Sequence, residues 1–533
     1  MLPSSSPYIG DTLSYSASVI RHTIGEKEGN FQALWEFGHL LWRPIGLVVA
    51  PVARAIVPDH WTSDPRVDIG YGLLGISILA ALITGALMYD MLARYAGWRI
   101  AALLVFGLSW ANGFLMYALS GSAYITALLC STAALWVLVA DPESPRRRYL
   151  AGALGALAAL VWFPHVLTIP ALALTPWILK RSSSRAGVTA ALQVGTAAAI
   201  VLMVVYVIGG VAAGVRSVAS ASEWVGAASH GWEQSQQWKR AVTGVARLML
   251  DLSQDGILLK RFVLGDPFQS LTFAELIRRS LWKVAAFYVF VAAIIWMCLG
   301  TPRGRSALLL SLTATAPLMF FALVLLEPSS PERFLPLVPF ILLACAAGWQ
   351  GVGRWVVAAF IVMLPVLNGP YFIESLSPMP ARMTAQMEDL RAHADPRDLV
   401  VTVTFADPLA QWFEQRVFHP SLSRGSPPTY QLIAPAEVTS RQWRQRFATR
   451  VLAEWTQGAN VWIRRGALDS IPDPLLAWVE GDQPHLRWND VRTFLGELEY
   501  DAVTGRSDGF TRLARSERSQ AVLQRARADT LPN

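Results

Sequence analysis

Charge and cysteine are both scarce in this chain. Only 16% of its 533 residues are Asp, Glu, Lys or Arg, against 53% hydrophobic residues. That balance is too apolar for an ordinary water-soluble chain, about a quarter of which is charged. The three cysteines, Cys130, Cys298 and Cys345, sit inside separate apolar runs without metal-ligand spacing, so they read as small core residues rather than disulfides or ligands. H-E-x-x-H, P-loop, nucleophile-elbow and C-x-x-C patterns are all missing, which removes the motif basis for a zincin, a P-loop NTPase, a serine hydrolase or a thiol oxidoreductase. The net charge of +7 follows from basic loops between apolar runs and makes no case for nucleic acid.

What is present is long hydrophobic runs. A helix needs about 20 residues to cross the hydrocarbon of a bilayer, and spans are expected near 69–92, 99–119, 122–140, 149–164, 166–179, 187–209, 282–299, 306–326, 334–348 and 354–369. The fourth and fifth are short and Pro-rich. They count as two crossings because Arg146, Arg147 and Arg148 precede them and Lys180, Arg181 and Arg185 follow. Basic loops prefer the cytoplasm. Arg94 with Arg99, the triple arginine, the Lys180 group, Arg303 with Arg305, and Arg354 then fall in alternate loops on one side. Residues 1–68, the loop 210–281, the loop 327–333 and everything after 370 are expected outside. Trp98, Trp162, Trp177, Trp282 and Trp355, near span ends, suit the headgroup layer.

An external first segment without a signal peptide leaves two explanations: a further helix encoded upstream of Met1, which is the expectation, or passage of the segment to the outer face by insertion with the next helix. Within that segment, 13–24 and 31–57 have helical apolar spacing but carry Arg21, Glu36, His39, Arg43 and Arg54, so they are expected to lie in the interface. The Trp-rich loop 210–281 reads similarly, as helices able to roof a cavity. After 370 the composition becomes that of a small α/β domain: a helix over 382–394, a buried-type strand over 398–405, a helix over 409–417, a helix over 440–455 and a strand over 460–464. No G-x-G-x-x-G follows the first strand. The last twenty residues, rich in Arg, Ser and Gln, are expected to be frayed. The fold class is therefore a polytopic α-helical membrane protein of about ten spans, divided as 1–68, 69–370 and 371–533, with the last an external α/β domain.

Two polar clusters stand out on the external side. The first segment reads Tyr8-Ile9-Gly10-Asp11-Thr12-Leu13-Ser14-Tyr15 and later Trp35-Glu36-Phe37-Gly38-His39-Leu40-Leu41-Trp42-Arg43-Pro44. The late loop reads Leu326-Glu327-Pro328-Ser329-Ser330-Pro331-Glu332-Arg333-Phe334-Leu335-Pro336. Asp11 is either a helix N-cap or a general base or metal ligand acting on an acceptor. On one helix Glu36, His39 and Arg43 would share a face, either as a salt-bridged surface or as the lining of a sugar or phosphate site. Arg333 stands at a helix start, where the dipole disfavours a cation. It either snorkels or joins free backbone N–H groups in holding a phosphate; Glu327 is either only its ion-pair partner or a further substrate contact. His165, at the turn after Trp162-Phe163-Pro164, is either a satisfied turn residue or a substrate contact. Asp251, Asp255 and Asp266 are too scattered for a metal cluster.

With these stretches in view, the chain resembles the GT-C superfamily of polyprenyl-phosphate-sugar glycosyltransferases, which contains the protein O-mannosyltransferases and the aminoarabinose lipid A transferases. Gly10-Asp11 in an outer segment, the Glu36-to-Pro44 stretch and Arg333-Phe334-Leu335-Pro336, similar to a late R-[YF]-L-x-P, carry the resemblance, and the layout covers nearly the whole chain. It implies Asp11 as catalytic base, Arg333 as ligand of the donor phosphate, and a divalent ion as an accessory in some members. The implied activity is inverting transfer of a sugar from a polyprenyl-phosphate donor to an external glycan, lipid or protein, in a bacterial inner membrane. Tyr15, Glu36, His39, Arg43, His165, Glu327 and Arg333 are the expected substrate-binding residues. The alternatives are a transporter or flippase, or a non-catalytic assembly factor, for a lipid-linked glycan. Spans nearly free of charge and without repeats argue against transport.

Overall fold

The computed structural model describes residues 19, 31–56, 65–180, 184–227, 239–250, 252, 274, 277–324, 331–376, 390, 392–395, 397–404, 429–433, 443–464, 488–501 and 510–528. Each of the ten expected apolar segments is built mainly of helix over its described residues, with a break at Ala111 inside the second and non-helical ends at Leu119, 122–123, Trp162 and Gly348. Four helices, Ile69–Ala96, Arg185–Ala212, Trp282–Leu299 and Pro302–Leu323, are long and apolar enough to cross a membrane. Trp98–Trp110 with Asn112–Ala118 makes a fifth if that pair, bent by 66°, is one span. The chain is thus a polytopic α-helical membrane protein, with fewer full-length spans among the described residues than the expected ten.

The shortfall has a local cause. Ahead of Ile169–Lys180 and Val338–Ala347 the chain winds as 3-10 turns, Phe163–Thr168 and Pro331–Leu337. Pro164, Pro331 and Pro336 lie inside these turns. Proline has no N–H for an i−4 bond and shortens regular helix. The Pro145–Val161 and Ile169–Lys180 helices run side by side, since a Cβ at Gly155 would sit 3.0 Å from Leu172 Cδ1. The chain goes along the bundle and returns, as the flanking basic residues indicated. The Pro145–Val161 helix also packs backbone-close on Ser184–Ala212: a side chain at Gly152 would collide with the Val194 carbonyl.

Counting along these helices places the junctions at 111–123, 162–168 and 331–337 at one end of the bundle and the basic loops at the other. At the basic end Arg148 donates to Gln193 Oε1 at 3.0 Å and Thr301 Oγ1 donates to the Ala347 carbonyl at 3.4 Å. The tryptophans divide. Trp98, Trp177, Trp282 and Trp355 are exposed, as headgroup anchors should be, but Trp162 is 5% exposed and belongs to the interior.

The C-terminal part forms a four-stranded sheet of order β2-β1-β3-β4, with β1 Leu399–Thr404, β2 Thr429–Ile433, β3 Val461–Arg464 and β4 Phe510–Arg512. β1 runs parallel to both β2 and β3, and β4 runs antiparallel to β3. The buried Asp398 carboxylate starts β1 and accepts from Asn460 N at 2.8 Å and Trp462 Nε1 at 2.9 Å, which pins β1 to β3. The two expected strands are therefore present, and the helix expected over 440–455 is Trp443–Thr456. The chain end corrects the expectation of fraying: Glu517–Ala528 is a helix that buries Val522, Leu523 and Ala526 in the same core as Phe447 and Val451. The helix expected over 409–417 and most of that over 382–394 lie outside the described residues, as does 13–24 except Val19.

Candidate functional site

The site begins with a helix end that needs partners. The last four carbonyls of a helix have no intrahelical donor. At the end of Pro145–Val161 two of them are met from the N-terminal segment: Leu41 N donates to Leu160 O at 3.0 Å, and His39 Nδ1 donates to Val161 O at 3.3 Å. This contact changes the local structure expected for residues 36–43. They do not form one helix. Glu36 is extended, Phe37–His39 is a 3-10 turn, and the α-helix starts at Trp42 and runs to Ile56. Pro44 fits in that first turn, where an N–H has no acceptor anyway. Glu36 and Arg43 still meet, with Arg43 Nη2 2.7 Å from Glu36 Oε2, because the turn folds back over the helix start. Trp42 Nε1 donates to Gly121 O at 3.1 Å and ties this helix to the outer junction.

Trp162 is the centre of the arrangement. It is the extended residue between the Pro145–Val161 helix and the 3-10 turn. The His39 ring stacks on it at 4.6 Å with planes 13° apart. The Arg333 guanidinium lies over it, Cζ 5.0 Å from the ring centroid, and Tyr124 meets it edge-on at 4.9 Å. Stacking and cation–π contacts of this kind favour a flat aromatic held by its neighbours. Beside Arg333, the buried Glu332 carboxylate accepts a short hydrogen bond from the Tyr117 hydroxyl. Two helices of the expected roof pack nearby. Trp224, on Val218–Ala227, donates from Nε1 to Trp35 O at 2.6 Å and lies edge-on to Phe37, and Lys239–Arg247 packs against the Pro331–Leu337 turn.

The electrostatics are specific. Burial pushes His39 down to about 4, against the upward pull of Glu36, so the imidazole is neutral at physiological pH. Its Nδ1 faces a carbonyl and must carry the proton, which assigns the lone pair to Nε2. Arg333 Nε and Trp162 Nε1 are buried donors without a hydrogen-bond acceptor among the described residues. Two guanidinium groups, Arg43 and Arg333, act electrostatically on His39 together with Glu36, so these side chains occupy one neighbourhood. A planar cation with a free N–H, beside a neutral imidazole and an indole N–H, can hold an oxyanion and hydroxyl groups.

The structure thus brings Glu36, His39, Arg43 and Arg333 together. His165 is fully buried one turn beyond Trp162, with neither ring nitrogen partnered among the described residues. Asp11, Tyr15 and Glu327 lie outside the described residues. Sequence reasoning missed Tyr117, Tyr124, Glu332 and the inward role of Trp162. A signal for Glu332 existed in its place beside Arg333; a tryptophan at a helix end has no such mark. Among the described residues no three His, Cys, Asp or Glu side chains gather as metal ligands.

No family model matches the sequence, and no curated protein matches it in sequence. Solved structures do resemble the chain. The Archaeoglobus fulgidus oligosaccharyltransferase in complex with Zn and sulfate is 12% identical and aligns over 95% of this chain and 69% of its own, with a TM-score of 0.47. ArnT from Cupriavidus metallidurans bound to undecaprenyl phosphate is 13% identical over 95% of this chain and 94% of its own, with a TM-score of 0.44.

Proposed function

We propose that this protein is a membrane glycosyltransferase that moves a sugar from a polyprenyl-phosphate donor to an extracytoplasmic glycan, lipid or protein. The observation that carries the proposal is the meeting of the Glu36–Arg43 pair, His39 and Arg333 on Trp162, at the end of the helical bundle opposite its basic loops. A donor of this class has an apolar tail that stays in the bilayer and a phosphate at its surface. An arginine with a buried free N–H at that level suits the phosphate.

The reaction is a single displacement. The acceptor oxygen or nitrogen bonds to the anomeric carbon as the bond from that carbon to the phosphate oxygen breaks, so configuration inverts and the electron pair leaves on the polyprenyl phosphate. The acceptor proton goes to a carboxylate, which we assign to Asp11. Arg333, aided by Arg43, stabilises the charge that grows on the leaving phosphate, the stage at which a fixed cation helps most.

The test is sugar transfer from a radiolabelled lipid-linked donor in membranes. Asp11→Asn keeps shape and loses the base, and its rate should fall by about 10²- to 10⁴-fold with donor binding retained. Arg333→Lys keeps charge and loses the planar fork, so it should resemble Arg333→Ala in donor use. Wild-type kinetics in all three variants would discard the roles given to Asp11 and Arg333, and donor movement across the bilayer without any transfer would discard the enzyme in favour of the flippase.

A further inference from the structure

We propose that Tyr117 is a positioning residue for Arg333: it holds the neighbouring Glu332 carboxylate off the guanidinium and so keeps Arg333 open to a phosphate. The proposal rests on the reading of Arg333 as the donor-phosphate ligand.

Glu332 and Arg333 are adjacent and largely buried, with side chains 11% and 13% exposed. Opposite charges confined together usually close to about 2.8 Å with a shared hydrogen. Here the approach of Arg333 Nε to Glu332 Oε1 stops at 3.9 Å, and that buried Nε–H has no hydrogen-bond acceptor among the described residues. The carboxylate is committed elsewhere, since its Oε2 accepts the short bond from Tyr117.

Tyr117 is held by its own neighbours and by the braced helix that carries it. Its ring packs edge-on against Tyr124 at 4.6 Å. It sits on Asn112–Ala118, turned 66° from the preceding helix. The break is braced by a distant segment: Asn112 N donates to Met249 O at 3.2 Å and Gly113 N to Leu248 O at 2.9 Å. Asn368 Nδ2 donates both to Trp110 O at 2.6 Å and to Met249 O at 2.8 Å. Without the hydroxyl, the buried carboxylate is left beside the Arg333 guanidinium, whose Nε already lies 3.9 Å from Oε1. Carboxylate and phosphate then compete for one guanidinium.

The experiment measures the affinity of the full-length protein in detergent for farnesyl phosphate, with thermal unfolding alongside. Tyr117→Phe should bind on the order of tenfold more weakly, the size of one charge-assisted hydrogen bond. Glu332→Gln should bind at least as well as wild type, and Tyr117→Phe combined with Glu332→Gln should regain wild-type affinity, because the competing anion is gone. A merely structural tyrosine would leave the double variant as weak as Tyr117→Phe, which overturns the proposal, as does wild-type affinity in Tyr117→Phe. If Tyr117→Phe does not fold, Glu332→Gln decides alone, and a loss of affinity there overturns it too. Arg333→Ala separates the two levels: undiminished binding in that variant removes the phosphate role of Arg333 itself, whereas weak binding there with no effect of Tyr117→Phe removes only the positioning role.

Discussion

His39 lies flat on Trp162, ring centroids 4.6 Å apart and planes 13° from parallel. This joins the N-terminal segment to the junction after Pro145–Val161, and the same indole carries Arg333. Binding and folding should therefore respond together at this residue. Trp162→Phe keeps a ring for both neighbours and should cost about 1 kcal/mol or less beyond its lost volume. Trp162→Ala removes a buried aromatic, at about 3–5 kcal/mol, and should also raise donor KM. Thermal unfolding and donor kinetics on both variants check this, and unchanged values in Trp162→Ala would deny the indole its central place.

The buried imidazole gives a pH signature. His39 is lowered from 6.5 to about 4, so between these values the unfolded chain binds a proton that the folded protein refuses. The stability it contributes is full above about pH 6.5 and is lost as pH falls toward 4, at up to about 1.4 kcal/mol per pH unit. His39→Gln should flatten that part of the profile. Unfolding temperatures measured from pH 4.5 to 7.5 for both proteins supply the comparison; an equal slope in the variant assigns the acid lability to other groups.

Much of this arrangement was legible in the sequence for one reason: hydrophobic run length and loop charge are local properties. The helical segments, the out-and-back path at 149–179 and strands β1 and β3 follow from them, and so does the placing of Arg333 at the same end as Glu36. What was not legible depends on partners far along the chain. Residues 36–43 pattern as a helix, but the carbonyls of Leu160 and Val161 draw Leu41 and His39 into a turn. Trp162 has the position of a headgroup anchor and is turned inward by His39 and Arg333. Glu517–Ala528 has a polar, disordered-looking composition, but Val522, Leu523 and Ala526 suffice to dock it on the core. Tyr117 finds Glu332 only because the helix breaks at Ala111.

The basic loops carry a proposal for sidedness. The loops bearing Arg94, Arg146 to Arg148 and Arg303 lie at the end away from the site, and basic loops stay cytoplasmic. Reporter fusions after Leu92, Ala140 and Lys180 should read as cytoplasmic, and fusions after Ser375 and Gly481 as external. A cytoplasmic signal from the C-terminal fusions would put the cluster on the wrong face for a lipid-linked donor.

The Glu36–Arg43 pair, 2.7 Å apart with side chains 12% and 16% exposed, decides between a structural bridge and a binding surface. Removing one partner of a largely buried pair unbalances its charge and costs about 3 kcal/mol, while removing both is far milder. Glu36→Gln and Arg43→Gln should each lower the unfolding temperature, and the double variant should recover most of the loss. Donor affinity separates the roles. If Arg43 is only structural, affinity follows stability and returns in the double variant. If Arg43 also meets the donor phosphate, as the proposed mechanism requires, both variants lacking it bind the donor weakly even where stability has returned, and Glu36→Gln alone binds near normally. Full recovery of donor affinity in the double variant would leave Arg333 as the sole cation of the site.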